Sequence, residues 1–108
     1  MTIWHEMQDK GLILYGCVLQ NGDVQASSFP PEAKKQLSVA KQALAYIFRS
    51  VEKSAESHDE AHLEIGDCLF SGFQLDPNTL LIFLSEHDND TLQIRQFVSK
   101  NKERFLAL

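Results

Sequence analysis

The apolar positions of this chain fall into several short dense runs and one long stripe. Residues 12–19 are rich in Leu, Ile, Val and Tyr and too few for a typical helix, so they read as a strand. They lead into Gln20-Asn21-Gly22-Asp23, where Asn-Gly supplies the positive φ angles of a two-residue hairpin turn. Residues 24–28 return as the second strand. Pro30-Pro31 ends it, and Pro31 suits the first turn of a helix, where a missing N–H costs nothing. From residue 32 to about 54 the apolar positions Leu37, Ala40, Leu44, Ile47 and Val51 recur at three- and four-residue steps, with Ala43, Phe48 and Ala55 widening the stripe. A helix over that stretch is ~35 Å long and spans a domain of this size.

Three short strands are predicted after a polar connection at 57–60. Residues 61–65 end in Gly66-Asp67, residues 68–75 end in the Asp76-Pro77-Asn78-Thr79 turn, and residues 80–85 form the third. Asp90 reads as the N-cap of a last helix, with Gln93 as its capping-box partner and Ile94, Phe97, Val98 and Phe105 as its apolar side. Residues 2–9 read as a short first helix. Residues 12–19 and 80–84 are apolar without clean alternation, as strands covered on both faces are, so these two belong in the centre of the sheet. The long helix then covers one face and the terminal helices the other. The expected order is helix, two strands, long helix, three strands, helix.

With 108 residues there is room for one domain and not two, so residues 1–108 are taken together. A hydrophobic content of 44% and a charged content of 23% exclude wholesale disorder. The net charge of −5 counts against a general nucleic-acid binder, which needs clustered Lys and Arg. No run approaches the ~20 apolar residues of a membrane span, and the first residues lack the pattern of a signal peptide, so a cytoplasmic chain is expected. Charge is segregated: residues 56–90 hold nine acids and no Lys or Arg, whereas 91–108 hold four basic residues and one acid. This reads as solvated faces of opposite sign, or as an acidic edge that steers a basic partner.

No residue set declares a catalyst. His58 and His62 stand four apart with carboxylates between them, but the residue after His58 is Asp rather than the Glu of a zinc hydrolase helix, and the pair lies where a loop meets a strand. Cys17, Ser27 and Ser28 are imaginable nucleophiles, yet none sits in a recognisable nucleophile context. Cys17 and Cys68 both fall in strands and read as small buried apolar groups, and the sequence does not settle whether they are neighbours. There is no glycine-rich phosphate loop. The expectation is a protein that is not an enzyme and uses no metal and no cofactor.

The hairpin carries a resemblance. Leu12-Ile13-Leu14-Tyr15-Gly16-Cys17-Val18-Leu19, the Gln20-Asn21-Gly22-Asp23 turn and then Ala26-Ser27-Ser28 resemble the opening of roadblock/LC7 domains, and the later elements match that family in order and length. The first helix is shorter than is usual there. The resemblance implies an α/β, profilin-like α-β-β-α-β-β-β-α sandwich with a five-stranded antiparallel sheet. It also implies a homodimer in which sheets and long helices meet across a two-fold axis. Members act as non-catalytic scaffolds or regulators, often of small Ras-like GTPases, and as light chains of motor complexes. The expected interface is the exposed flank of the long helix and the edge strand after it, with Ala40, Ala43, Leu44, Ile47 and Phe48 as candidates. The alternatives are a small acidic secretion chaperone that binds an extended client protein, and a metal-dependent enzyme built on His58 and His62.

Overall fold

The computed structural model describes residues 2–51, 60–86 and 88–108, with the backbone alone at 49–51. Its elements are α1 (Ile3–Asp9), β1 (Tyr15–Gln20), β2 (Asp23–Ser27), a 3₁₀ turn at Pro31–Ala33, α2 (Lys34–Val51), β3 (Glu60–Ile65), β4 (Cys68–Asp76), β5 (Thr79–Glu86) and α3 (Thr91–Leu106). The five strands form one sheet in the order β2-β1-β5-β4-β3, antiparallel throughout. β5 is central with β1 beside it, as their apolar runs require. α2 packs on one face, and α1 and α3 pack on the other.

The alternation along the central strands divides the core. Val18, Leu81 and Phe83 face α1 and α3, together with Trp4, Met7, Ile94, Val98 and Phe105. Cys17, Leu19, Ile82 and Leu84 face α2, where they meet Leu37, Ala40, Leu44 and Phe48. Burying a side chain of this size contributes about 1.5–3 kcal/mol, so neither layer forms without its helix. Among the described residues no helix is long and apolar enough to cross a membrane.

Three boundaries differ from the sequence reading, each for a physical reason. The strand expected from residue 12 begins at Tyr15, because Leu12 and Ile13 are buried as loop residues. An apolar run marks burial and does not distinguish a strand from a plugged loop. The long helix opens as a 3₁₀ turn behind Pro31, and α2 proper starts at Lys34. Its expected end near residue 54 lies outside the described residues. At α3 the Asp90 carboxylate accepts from the Leu92 N–H, as an N-cap should. The Asp90 N–H, however, donates to Asn89 Oδ1 and not to the expected partner Gln93.

The hairpin turn follows its residues. Asn21 has φ 53° and Gly22 φ 86°, the paired positive angles that Asn-Gly tolerates best. Beyond it, the register of β1 on β2 shifts between Val18 and Leu19, and that of β4 on β5 shifts between Gln74 and Asp76. These two of the sheet's three hairpins therefore carry a bulge close to their tips, at the same end of the sheet.

Candidate functional site

β3 is a sheet edge, with one side on β4 and, among the described residues, no strand paired on the other. Glu60, His62 and Glu64 alternate on it with Ala61, Leu63 and Ile65, and the latter three pack half-buried against the α2 layer. α2 touches β3 and β4 and crosses the face beside this edge. A six-residue edge strand with no bulge and no Pro is an available template for a further strand.

The five residues expected at an interface divide between two surfaces of α2. Ala40 and Leu44 are fully buried and Phe48 is 4% exposed, all three against the chain's own sheet. Ala43 is half-buried, as is Ile47. At ~100° per residue, Ala43 and Ile47 lie on one flank of the helix and Lys41 and Ala45 on the other. Val39 and Tyr46, which sequence reasoning did not single out, are 55% and 69% exposed. Their signal was present, since both are apolar or aromatic positions out of phase with the stripe of Leu37, Ala40 and Leu44. A solvated face rarely keeps such residues together.

On the opposite side of the sheet, β3 is fixed to α3 by a polar row. His62 Nδ1 lies 2.8 Å from Ser71 Oγ, its direct cross-strand neighbour on β4. His62 Nε2 lies 2.5 Å from Glu60 Oε2. Arg95, reaching from α3, forks onto the same carboxylate, with Nε to Oε1 at 2.5 Å and Nη2 to Oε2 at 3.0 Å. Burial pushes the Glu60 carboxyl up, but the hydrogen bonds and charges of Arg95 and His62 outweigh it and hold the group below the ordinary Glu value. The β3–β4 turn could have revealed the His62–Ser71 pair, because pairing Ile65 with Cys68 fixes the register three pairs back.

Ser71, His62 and Glu60 have the residue types of a hydrolytic triad, but Ser71 is fully buried in the sheet and no substrate carbonyl reaches its hydroxyl. The row positions the edge strand. The other candidate nucleophiles also have structural roles. Burial pushes the Cys17 thiol up to about 11, against the smaller pull of the Ser27 hydroxyl and the Lys41 charge, so it is an inert apolar group. Ser27 Oγ accepts from the Phe29 N–H, and Ser28 Oγ accepts from the Gly16 N–H at 2.8 Å. Cys17 and Cys68 are both free thiols. His58 lies outside the described residues, and among those described no three His, Cys, Asp or Glu side chains group as metal ligands.

Compared by sequence, no family model and no curated protein matches the chain. Compared by structure, it is similar to a roadblock/LC7 domain from Streptomyces avermitilis, with 11% identity, a TM-score of 0.68, and 98% of this chain and 99% of that one covered. It is similar to an MglB solved in a tetrameric arrangement, at 12% identity and a TM-score of 0.71, covering 94% of this chain and 81% of that one. MglC from Myxococcus xanthus is a third such structure, at 12% identity and a TM-score of 0.65, with coverage of 90% and 87%. The architecture implied by the opening hairpin is thereby shown: this chain has the roadblock/LC7 fold.

Proposed function

We propose that this protein is a non-catalytic interaction module that pairs with a second copy of itself. The pair then regulates or scaffolds a protein partner, a small Ras-like GTPase or a motor-type complex. The observation that carries the reading is the meeting of an open sheet edge with an apolar helix flank. Among the described residues β3 has no strand on its outer side, and beside it α2 offers Ala43 and Ile47, with Val39 and Tyr46 further out. Ala40, Leu44 and Phe48 serve this surface indirectly, by seating α2 on the sheet. Two copies pairing β3 edge to edge would extend the sheet and bring two α2 helices side by side. The tetrameric arrangement of the MglB neighbour supports self-association through surfaces of this fold. The Asn-Gly hairpin directly before the long helix favours this reading over a secretion chaperone.

The test begins with molar mass. Light scattering behind a sizing column at micromolar concentration is expected to report a dimer, and Ala43→Glu a monomer with an unchanged circular dichroism spectrum. A monomeric wild type ends the dimer reading. The partner is sought by pull-down from source-cell lysate, run in parallel with GDP and a non-hydrolysable GTP analogue. Recovery of a Ras-like GTPase in one nucleotide state supports regulation. Recovery of none, from a protein that is dimeric, removes the GTPase and leaves a scaffold.

A further inference from the structure

Where the β1–β2 and β4–β5 hairpins turn, α2 and the strand ends line a half-open cavity of about 310 Å³. Leu19 from β1, Leu80 from β5 and Phe48 from α2 make its wall apolar, and Asn21 and Asn78 line it from the two turns. Among the described residues the single charge in the lining is Lys41, and no carboxylate of theirs lines it. Lys41 lies four residues after Leu37 and three before Leu44, so it sits at the margin of the stripe that α2 buries. It is half-buried, and among the described residues no acid pairs with it. A cation held beside an apolar wall, with no anion of its own, has electrostatic capacity to offer a ligand.

The turn side of the cavity is braced by hydrogen bonds within the chain. The Asn21 N–H donates to the Asn78 carbonyl at 2.8 Å and ties the two turns together. The Asn78 N–H in turn donates to Asp76 Oδ1 at 2.8 Å. Such preorganisation lowers the ordering cost of binding. The volume is at the lower end of the range for small-molecule sites, ~300–1,000 Å³, which suits a small compound better than a nucleotide. A phosphate would also bring more charge than one lysine matches, and the described residues of the lining include no arginine fork to hold it.

We propose that this cavity binds a small monocarboxylic acid with an apolar tail, its carboxylate on Lys41 and its tail against Leu19, Phe48 and Leu80. The site lies on the flank of α2 opposite Ala43 and Ile47, so it does not depend on the pairing proposed above.

Octanoate titrated into the full chain by calorimetry, with octan-1-ol and octylamine in parallel, tests the assignment. Octanoate is expected to bind saturably at one per chain, with octan-1-ol about tenfold weaker for want of the charge-assisted bond and octylamine weaker still. Lys41→Gln is expected to bring octanoate down to the level of octan-1-ol and leave octan-1-ol unchanged. Ala45→Trp, which puts an indole into the cavity, should block both, with circular dichroism confirming the fold. The assignment is overturned by the absence of saturable octanoate binding up to millimolar concentration. It is equally overturned if Lys41→Gln binds octanoate like the wild type, or if octylamine binds as well as octanoate.

Discussion

On the face covered by α1 and α3 the helices are held by rings. Trp4 lies 6.2 Å from Phe83 and 5.8 Å from Phe105 between centroids, and Phe83 meets Phe73 and Phe105 edge-on. On the face covered by α2 the helix contributes Leu37, Ala40 and Leu44, and Phe48 is its one buried ring. Each layer is seated over a glycine of the sheet. A Cβ on Gly16 would stand 2.5 Å from two atoms of the Trp4 indole, whereas a Cβ on Gly72 would stand 3.0–3.1 Å from the methyl ends of Leu44 and the Phe48 ring. The difference separates two designs. α1 has seven residues, too few to be stable alone, and rigid interlocking rings hold it to the sheet. α2 has 18 residues, and a looser aliphatic seat suffices, leaving Val39 and Tyr46 pointing away from the chain's own core.

Removing the central ring of the terminal layer is the largest way to break this comparison. Trp4→Ala is expected to destabilise the fold by about 3–5 kcal/mol in urea unfolding, the range for deleting a buried aromatic. The lost material is the anchor of α1, so hydrogen exchange at Met7 and Gln8 should rise toward that of an unfolded segment, while α2 amides keep their protection. Equal loss of protection in both helices would mean that the layers are not separable in this way.

The two glycines sharpen the contrast at smaller magnitude. Gly16→Ala must displace an indole pinned between Phe83 and Phe105 and is expected to cost about 1–3 kcal/mol. Gly72→Ala meets the flexible methyls of Leu44 and the edge of the Phe48 ring, which need give only a few tenths of an ångström. Its strain is set against the entropy that Ala removes from the unfolded chain, so a net change within about 1 kcal/mol is expected. A double-mutant cycle decides the cause: in a Trp4→Ala background, Gly16→Ala should lose most of its cost. If Gly16→Ala costs the same with and without Trp4, the indole contact is not what the glycine serves.

Much of this fold was legible because the sequence carries strong local chemistry where the chain changes direction. Asn21-Gly22 specifies its own turn, Asp90 its own cap, and the unalternating runs around Val18 and Ile82 their central places. The side of α2 that meets the sheet was not legible in the same way. Periodicity gathers apolar positions onto one stripe, but it does not say whether the stripe faces the chain's own sheet or another copy. Ala40, Leu44 and Phe48 were accordingly placed with Ala43 and Ile47, although the first three fill the core. Beyond its His62–Ser71 pair, the Glu60–His62–Ser71–Arg95 row was out of reach for a different reason. It joins β3, β4 and α3, and Arg95 is distant from Glu60 in sequence, so only the packing of α3 on the sheet brings them together.

That row gives the smallest expected effect and bears on the link between the two designs, since it ties the α3 layer to the edge strand beside α2. The Glu60 carboxyl is held below its ordinary value of 4.5 in the fold. Over the interval between the folded and unfolded values the unfolded chain binds the extra proton, so stability rises with pH there. The contribution is complete above the ordinary Glu value and is lost as pH falls through the lower folded one. Arg95 is about half exposed, and solvent screening keeps the gain to about 1 kcal/mol or less. Glu60→Gln should therefore be less stable than the wild type at pH 7 by that amount, with the difference shrinking as pH falls below 4.5. Urea midpoints collected from pH 7 down to about 3 measure it. A difference that stays constant across this range would assign the effect to shape rather than charge, and the row would then hold β3 by its hydrogen-bond geometry alone.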